Sequence, residues 1–493
     1  MGIASTTSAP SWCFFTGLAL RVFLFLAPAV TRWLSGRVEL NTAVNSWKRV
    51  IEAVALDKAG ISPYGRFVGR DRQFGVYVFE WLIGCFGEGI VHYHEVYSYV
   101  FHSPSQNSDV FHEAPLMLLL YKSMIKWLGS YVNAVFVLTD VLTAIVLEKS
   151  ARLFARYMLV KQEKEAKSYD KEESHHLTIK AQDMMRVKNY VLAFYLLNPY
   201  TIAACVAKST CVFTNLSLSL TLLFTLQGRR PWAAFWCAVA TYQCVYTATL
   251  IVPVAAFFVS VDQKHNRPLI FFATSQRRRV LNTCAHALGV FVAAIAVLLF
   301  ASRQLTGSWH FLYSTYGFHL TYPDMTPNVG MFWYFFIEIF DHFRVFFLWV
   351  FQMNAFFYVV PFAMLFREHP VAMFHSLLAM AAIFKPYPTY ADAGLWMSLL
   401  PMWYFVYPFM RTILPSIGVL VSTFVLSPIL WHLWIMAGSA NSNFYFATTL
   451  AFNSAQMFLL TDLVYALNKR MFFLRNGFRN EDEAGKKMIV LLK

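Results

Sequence analysis

The chain has 493 residues, of which 58% are hydrophobic and 18% aromatic, but only 14% are charged. Soluble globular chains carry about 25% charged residues, so this composition excludes an ordinary soluble domain and indicates an integral membrane protein. The formal net charge is +14. Its lysines and arginines gather between apolar runs, which favours cytosolic loops over a nucleic-acid partner.

The cysteine pattern does not indicate a metal site. Most of the seven cysteines lie inside apolar runs, and none forms a Cys-x-x-Cys pair. This pattern predicts small buried side chains, and neither a zinc site nor a disulfide framework is indicated. We expect neither a metal nor another cofactor.

Apolar runs that could cross about 30 Å of hydrocarbon recur along the chain. They predict an all-α fold: a polytopic membrane helical bundle of about twelve spans, forming one multispan domain over 1–493. The first run contains Arg21 and lacks a basic leading region, so we interpret it as a retained span. The candidate spans are 13–34, 130–148, 188–205, 211–227, 231–244, 246–260, 279–301, 345–366, 371–385, 394–410, 413–434 and 445–467.

Charged segments predict the orientation of these spans. The segment 149–187 is interpreted as a cytosolic polar loop and the basic segment 468–493 as a cytosolic tail. An even number of spans then places both termini in the cytosol. Two apolar stretches that also carry charges, 115–127 and 331–343, are predicted to be short interfacial helices on the luminal side.

The remaining loops all fall on the luminal face in this topology. They carry the motifs SPY, FHEAP, AKST, YPDMTPN, KPYPTY and GSANSN. Because loops held by a rigid scaffold often carry binding and catalysis, this convergence predicts a functional rim at that face.

Two residues of the FHEAP motif are candidates for chemistry. His112 and Glu113 could act as a general acid or base, or ligate a metal that holds a phosphate. They could equally form a local cap and hydrogen-bond network. The residues alone leave both interpretations open.

Two lysines in these loops need a counter-charge. For Lys208, an anionic lipid headgroup or a carboxylate such as Glu113 or Asp324 would serve. Lys385 has the same choice, with Asp392 nearby.

A dense patch of uncharged polar residues runs from Gly438 to Asn443 between two apolar runs. Amide side chains offer donors and acceptors without charge, which suits a hydroxyl-rich or phosphate-bearing ligand. The alternative is a tight turn with asparagines in left-handed conformations. We favour binding.

Several long motifs occur in a characteristic order: SWKRV, GISPY, FHEAPL, YLLNPYTI, CVAKSTC, ATYQ, PDMTPNVGMFWYFF, FQMNAFFY, FKPYPT and WHLWIMAGSANSNF. With them the chain, from about residue 30 to its end, resembles the PIG-U family, the polytopic subunits of glycosylphosphatidylinositol (GPI) transamidase. The resemblance implies a fold similar to the GT-C glycosyltransferases. It also implies an endoplasmic reticulum complex in which PIG-K carries the catalysis and GPAA1-type, PIG-S and PIG-T subunits are the other partners.

The resemblance also implies a role for the polar turn. The family is thought to help recognise the GPI lipid or the attachment signal, and its polar turn corresponds to Asn441 and Asn443 here, which the resemblance therefore marks as ligand-side residues. We therefore predict a non-catalytic subunit with a ligand-binding luminal rim. The predicted rim residues are Asn441, Asn443, Ser442, Lys208, His112, Glu113, Asn328, Asp324, Lys385 and Tyr387.

A GT-C mannosyltransferase that uses a dolichol-linked sugar is the alternative function. Such enzymes are expected to place an acidic residue or acidic pair in the first luminal loop. Here Glu39, Glu52 and Asp57 are isolated and form no Asp-x-Asp motif. This absence favours the transamidase subunit.

One segment departs from the family pattern. Residues 65–109 separate the SPY and FHE motifs, which the family keeps close together. A translated retained intron and a lineage-specific luminal insertion are both compatible with this segment.

Overall fold

The computed structural model describes residues 11–64, 111–169, 174–262 and 274–477. Within these ranges the chain forms helices joined by short connections and contains no strand, which confirms the all-α prediction. The predicted insert at 65–109 lies outside the described residues, as does most of the predicted tail.

The first part of the chain contributes ten helices. They are α1 Ser11–Phe25, α2 Pro28–Ser35, α3 Trp47–Lys58, α4 Pro115–Leu128, α5 Val132–Glu165, α6 Ala181–Leu196, α7 Pro199–Val206, α8 Cys211–Leu226, α9 Arg230–Gln243 and α10 Ile251–Asp262. Shorter helical turns lie at Gly129–Tyr131, Ala166–Ser168, Ser174–Leu177 and Val245–Leu250.

The second part contributes eight more. They are α11 Thr274–Thr306, α12 Phe332–Glu338, α13 Asp341–Phe357, α14 Val359–Leu365, α15 Pro370–Phe384, α16 Tyr390–Ser398, α17 Ile413–Trp431 and α18 Ser442–Asn476. Shorter or irregular helical segments lie at Tyr313–Gly317, Phe318–Thr321, Leu400–Phe409 and His432–Met436.

Helices occupy all twelve predicted apolar runs. By length and composition, four helical stretches of the described chain can each cross a membrane, and six can if each of two bent pairs counts as one span. The bends are 90° between α1 and α2 and 47° between α6 and α7. Several other runs hold helices too short to qualify alone, so the number of about twelve spans stays a prediction.

Helix α5 continues well beyond the predicted run 130–148. It has 34 residues and ends at Glu165, so the first part of the predicted polar loop is helical. Charged residues end an apolar run without ending a helix, because Lys, Arg and Glu are good helix formers. The pair Glu148 and Arg152, with 2.7 Å between Oε1 and Nη2, also stabilises the helix through its i,i+4 spacing.

Helix α15 lies at the centre of the bundle. Every residue from Pro370 to Ile383 is buried. A helix that is apolar on all sides has no face suited to water, so it packs inside the other helices.

A buried ion pair holds the bend between α6 and α7. Nε of the fully buried Arg21 donates to Oδ2 of Asp140 at 2.6 Å, and Nη1 donates to the carbonyl oxygen of Leu196 at 2.7 Å. Pro199 follows this carbonyl and prevents one straight helix, so the bend frees backbone groups that need partners. Arg21 is the partner of one of these groups, the Leu196 carbonyl oxygen. Tyr195 donates to Oδ1 of Asp140, the carboxylate oxygen that Arg21 does not bind, at 2.7 Å.

Candidate functional site

Loops from separate parts of the chain interlock at one end of the bundle. Asn41 Nδ2 donates to the carbonyl oxygen of Ala207 at 3.2 Å, and the backbone amide of Tyr390 donates to the carbonyl oxygen of Glu39 at 3.0 Å. We call this assembly the loop cluster. It comprises residues 36–46, 111–114, 207–210, 322–331, 385–389 and 437–441.

Asn45 ties the first loop to the Lys208 loop. Its Nδ2 donates to Oγ of Ser209 at 3.1 Å and approaches Sγ of Cys211 at 2.8 Å, while the Thr210 amide donates to the Asn45 carbonyl oxygen at 3.1 Å. Two loops that are distant in sequence are therefore locked together. The sequence did not single out Asn45, because an isolated asparagine carries no pattern.

Glu113 is buried and bound by hydroxyl groups. Tyr121 donates to one carboxyl oxygen at 2.7 Å and Thr210 to the other at 2.6 Å. Burial raises the pKa of Glu113 to about 7, although both hydrogen bonds oppose the shift. The carboxyl group is therefore partly protonated at neutral pH.

His112 is also enclosed. Its Nδ1 lies 2.9 Å from the carbonyl oxygen of Ser314, which can only accept, so Nδ1 carries the proton. The ring stacks on Phe318 at 3.5 Å between centroids, and Nη1 of Arg49 lies 3.4 Å from Nε2. Burial lowers the pKa of His112 to about 3. Of the two predicted roles for His112 and Glu113, these contacts favour the hydrogen-bond network.

Asp324 is held by Arg49 and Tyr387. Nη2 of Arg49 donates to Oδ2 of Asp324 at 3.1 Å, and the buried Tyr387 hydroxyl donates to the Asp324 carbonyl oxygen at 3.0 Å. Nearby, Asn328 is buried and accepts from the Gly330 amide at 2.7 Å. These contacts shape the loop and leave little of Tyr387 or Asn328 to touch a ligand.

The two predicted lysines differ in their partners. Nζ of the buried Lys385 lies 2.7 Å from Oδ1 of Asp392, which was the predicted counter-charge. Burial alone lowers the pKa of Lys385, but the Asp392 carboxylate outweighs it and the pKa is raised. Asp392 also accepts from the Thr389 amide at 2.9 Å, closing a capping box at the start of α16.

Lys208 forms no ion pair with any described carboxylate, so neither of the predicted partners Glu113 and Asp324 neutralises it. Its backbone is left-handed, with φ of 56°, a conformation that costs a non-glycine residue about 1–2 kcal/mol. Burial lowers its pKa. A strained, partly desolvated cation thus remains available at the loop cluster.

The asparagine turn, residues 437–443, lies where α18 begins. Asn441 is the N-cap of α18, and its side chain accepts from the Asn443 amide at 3.1 Å. The left-handed residue of the turn is Gly438, with φ of 64°, whereas Asn441 is extended. The alternative of left-handed asparagines therefore does not hold for Asn441, whose side chain caps the helix.

The two asparagines remain exposed. Asn443 Oδ1 accepts from the Tyr334 hydroxyl, and the Nδ2 groups of Asn441 and Asn443 have no partner among the described residues. Ser442 between them is partly exposed. Amide donors that are not used internally can bind an incoming acceptor.

The predicted site residues thus fall into an exposed group and an enclosed one. The exposed group is Asn441 and Asn443, with the partly exposed Ser442 between them. The enclosed group is His112, Glu113, Asn328, Lys385 and Tyr387, whereas Asp324 and Lys208 are partly buried. Trp333, Tyr387 and Tyr445 belong to one buried aromatic cluster, and Tyr334, the hydrogen-bond partner of Asn443, packs against it.

Glu39 joins these regions, a role that sequence reasoning missed. It accepts from the Tyr445 hydroxyl at 3.1 Å and pairs with Arg37 through two bonds of 2.6 and 3.0 Å. The Arg37 guanidinium lies 5.6 Å from the centroid of the Trp33 ring. The alternation of Arg37 and Glu39 in RVE was the available signal, but Glu39 was treated as an isolated acid.

Known proteins identify the family. A family described as GPI transamidase subunit PIG-U matches residues 15–452. The chain is similar to GPI-anchor transamidase component PIGU of Homo sapiens, with 35% identity over 483 residues that cover 97% of each chain. The chain belongs to the PIG-U family.

A more distant relative agrees with this assignment. GPI transamidase component GAB1 of Saccharomyces cerevisiae is 32% identical over 276 residues, which cover 55% of this chain and 65% of the yeast protein. The family resemblance predicted from the motifs is confirmed, and the chain is a GPI transamidase subunit. All ten predicted site residues lie within the matched range.

Proposed function

We propose that this chain binds the GPI glycolipid at the asparagine turn and presents it for transfer to a protein, without performing the chemistry itself. In this role the turn faces the lumen of the endoplasmic reticulum, and both termini face the cytosol. The catalytic step belongs to a PIG-K subunit. Subunits of the GPAA1, PIG-S and PIG-T types complete the complex.

The observation that carries this proposal is the pair of exposed amides at the start of α18. Asn441 and Asn443 hold unused Nδ2 donors at the N-terminus of a helix of 35 residues. The partial positive charge of a helix N-terminus favours anionic groups. The phosphates and hydroxyls of a glycolipid headgroup match this arrangement of donors.

An apolar surface adjoins the turn. Helix α17 leads towards it and exposes large apolar side chains that include Val421, Val425 and Ile429. Each buried CH₂ group of an acyl chain contributes about 0.8 kcal/mol, so this surface can supply affinity while the asparagines orient the headgroup. Holding the anchor's terminal amine near a partner's thioester then lowers the barrier by several kcal/mol.

The state of the acidic residues supports a non-catalytic role over the mannosyltransferase alternative. Glu39 is paired with Arg37, and Asp324 with Arg49. Glu113 is occupied by two hydroxyl donors. A general base for sugar transfer needs an available carboxylate directed at the acceptor, and none of these three carboxylates is available.

Replacing Asn441 tests this proposal. Asn441→Asp keeps a good N-cap but removes the Nδ2 donor and adds a negative charge. We expect the transamidase complex carrying this variant to retain about tenfold less GPI when it is purified and its lipids are analysed. Asn441→Lys, which puts a cation in the turn, should likewise reduce surface GPI-anchored protein at normal expression.

Ser123→Asp is the control for the added charge, because Ser123 is exposed on α4, outside the asparagine turn. It should retain GPI. Equal GPI retention by Asn441→Asp and the unmodified chain would remove the turn from the lipid site. If Asn441→Asp retained GPI but lost the attachment-signal peptide, the ligand of the turn would be the peptide.

A further inference from the structure

A basic cleft lies at the other end of the bundle from the loop cluster. Its walls come from the last turns of α5 and α18 and from the connection before α15. Arg470 lies 28 residues along α18 from Ser442, which at 1.5 Å per residue is about 42 Å. This exceeds the roughly 30 Å of hydrocarbon, so the cleft and the asparagine turn lie near opposite membrane surfaces.

The charges of this cleft do not cancel. Lys161, Arg470 and Arg475 supply three cations, and Glu165 and Glu368 supply two carboxylates. Burial and the nearby Lys161 ammonium lower the pKa of His369, so this ring adds no charge at neutral pH. One net positive charge remains among these side chains.

Arg470 is the residue without an ionic partner. It is buried, with 6% exposure, and forms no ion pair with a carboxylate of the described chain. Its Nη2 donates to the Leu177 carbonyl oxygen at 2.6 Å, and its guanidinium lies 4.7 Å from the centroid of the Phe405 ring. These contacts fix the guanidinium while Nε and Nη1 make no hydrogen bond to a described residue.

The other cations are positioned around it. Nζ of Lys161 donates to the Glu368 carbonyl oxygen and lies 3.7 Å from Oε1 of Glu165. Arg475 pairs with the Glu368 carboxylate. Both carboxylates are therefore engaged, and the unneutralised charge belongs to Arg470.

From this geometry we infer a second lipid site, a cleft that binds the phosphate of an anionic phospholipid headgroup at the membrane surface opposite the asparagine turn. Each unused N–H of a fixed guanidinium can donate to a phosphate oxygen, and a lysine adds a point charge. Basic clefts between membrane helices suit anionic headgroups. The single phosphodiester charge of phosphatidylinositol matches the single uncompensated positive charge.

Binding of defined probes to the full-length chain tests this site. The purified chain in detergent is titrated with phosphatidylinositol, phosphatidylcholine or inorganic phosphate, and bound species are counted by native mass spectrometry. We expect Arg470→Gln to weaken phosphatidylinositol binding about tenfold. The double variant Lys161→Gln with Arg475→Gln should weaken it as well, without touching the Arg470 contact to Leu177.

Lys469→Gln is the matched control, because it removes the same charge one residue away, where Lys469 lies near the rings of Phe409, Tyr465 and Phe473. It should bind phosphatidylinositol as the unmodified chain does. Unchanged binding by both cleft variants, or an equal loss with Lys469→Gln, overturns the site. Displacement of the lipid by inorganic phosphate at similar concentration would identify free phosphate as the ligand and overturn the lipid assignment.

Discussion

The Arg21–Asp140 pair and the asparagine turn show two opposite uses of polar groups in this membrane protein. Arg21 is fully buried, and its donors meet a carboxylate, two carbonyl oxygens and the Thr201 hydroxyl. Asn441 and Asn443 are exposed and keep unused donors. A polar group whose partners are all internal maintains the fold, whereas one with unused donors at a surface is available to a ligand.

The difference corrects a common expectation about intramembrane charges. An ionisable residue inside a membrane is ordinarily examined first as a functional site. Here Arg21 and Asp140 neutralise each other, and the Leu196 carbonyl oxygen at the helix break takes another Arg21 donor. This pair maintains the bend between α6 and α7, whereas the exposed, neutral asparagines are the residues that we propose bind the ligand.

Breaking the buried pair should have the largest effect. Arg21→Met leaves Asp140 as an uncompensated buried charge and frees the Leu196 carbonyl oxygen, which should cost about 3–5 kcal/mol of folding free energy. The measurement is thermal unfolding of the detergent-purified chain, together with its steady-state level in cells. Arg32→Met, on the exposed side of α2, is the control and should change neither.

A small loss of stability in Arg21→Met would contradict the interpretation that the Arg21–Asp140 pair maintains the fold. It would mean that Asp140 finds another partner or becomes protonated at little cost. The companion variant Asp140→Leu separates these cases, because it leaves the guanidinium unpaired and cannot be rescued by protonation.

The helices were predictable from sequence, and so was the local pair Lys385–Asp392, but the partners of polar groups that are distant in sequence were not. Apolar run length located the helices because a membrane helix must be apolar over much of its length. Arg21 and Asp140 are 119 residues apart, and no local pattern relates them. The same holds for Tyr445 and Glu39, which are 406 residues apart. The asparagine turn was noticed because its polar residues are contiguous.

Glu113 is buried and hydrogen-bonded, as Arg21 and Asp140 are, but it has no ionic partner among the described residues. It should therefore make the stability of the fold depend on pH. Its pKa is raised from 4.5 to about 7 in the folded chain, so the folded state holds a proton that the unfolded state releases earlier. Its contribution to stability is full below pH 4.5 and is lost as pH rises to about 7, by up to about 3 kcal/mol.

Glu113→Gln should remove this slope, since an amide does not titrate between pH 4.5 and 7. The measurement is the thermal unfolding midpoint at pH 5, 6, 7 and 8. Glu52→Gln, at an exposed position on α3, is the control and should keep the slope. If the unfolding midpoints of the unmodified chain and of Glu113→Gln changed in parallel with pH, Glu113 would be ionised in the folded chain. It would then be a buried charge whose partners are all internal, as Asp140 is.

Replacing residues 65–109 by a short linker should have the smallest effect of the changes considered. The flanks of this segment meet directly: the rings of Tyr64 and Phe111 are 5.8 Å apart, and the Tyr64 hydroxyl donates to the Glu113 carbonyl oxygen at 3.0 Å. The polar group at this boundary is satisfied without any residue of the insert. A short connection can therefore replace 65–109 without separating the two motifs.

We expect a chain in which Gly-Ser-Gly-Ser replaces 65–109 to restore surface GPI-anchored protein as well as the full chain does in cells that lack the subunit. Its unfolding midpoint should also be unchanged. A control that also carries Tyr64→Phe loses the hydroxyl bond to Glu113 and should be less stable by about 1 kcal/mol. Failure of the shortened chain to restore surface protein, at a normal unfolding midpoint, would show that the insert itself takes part in function and would favour a lineage-specific element over a retained intron.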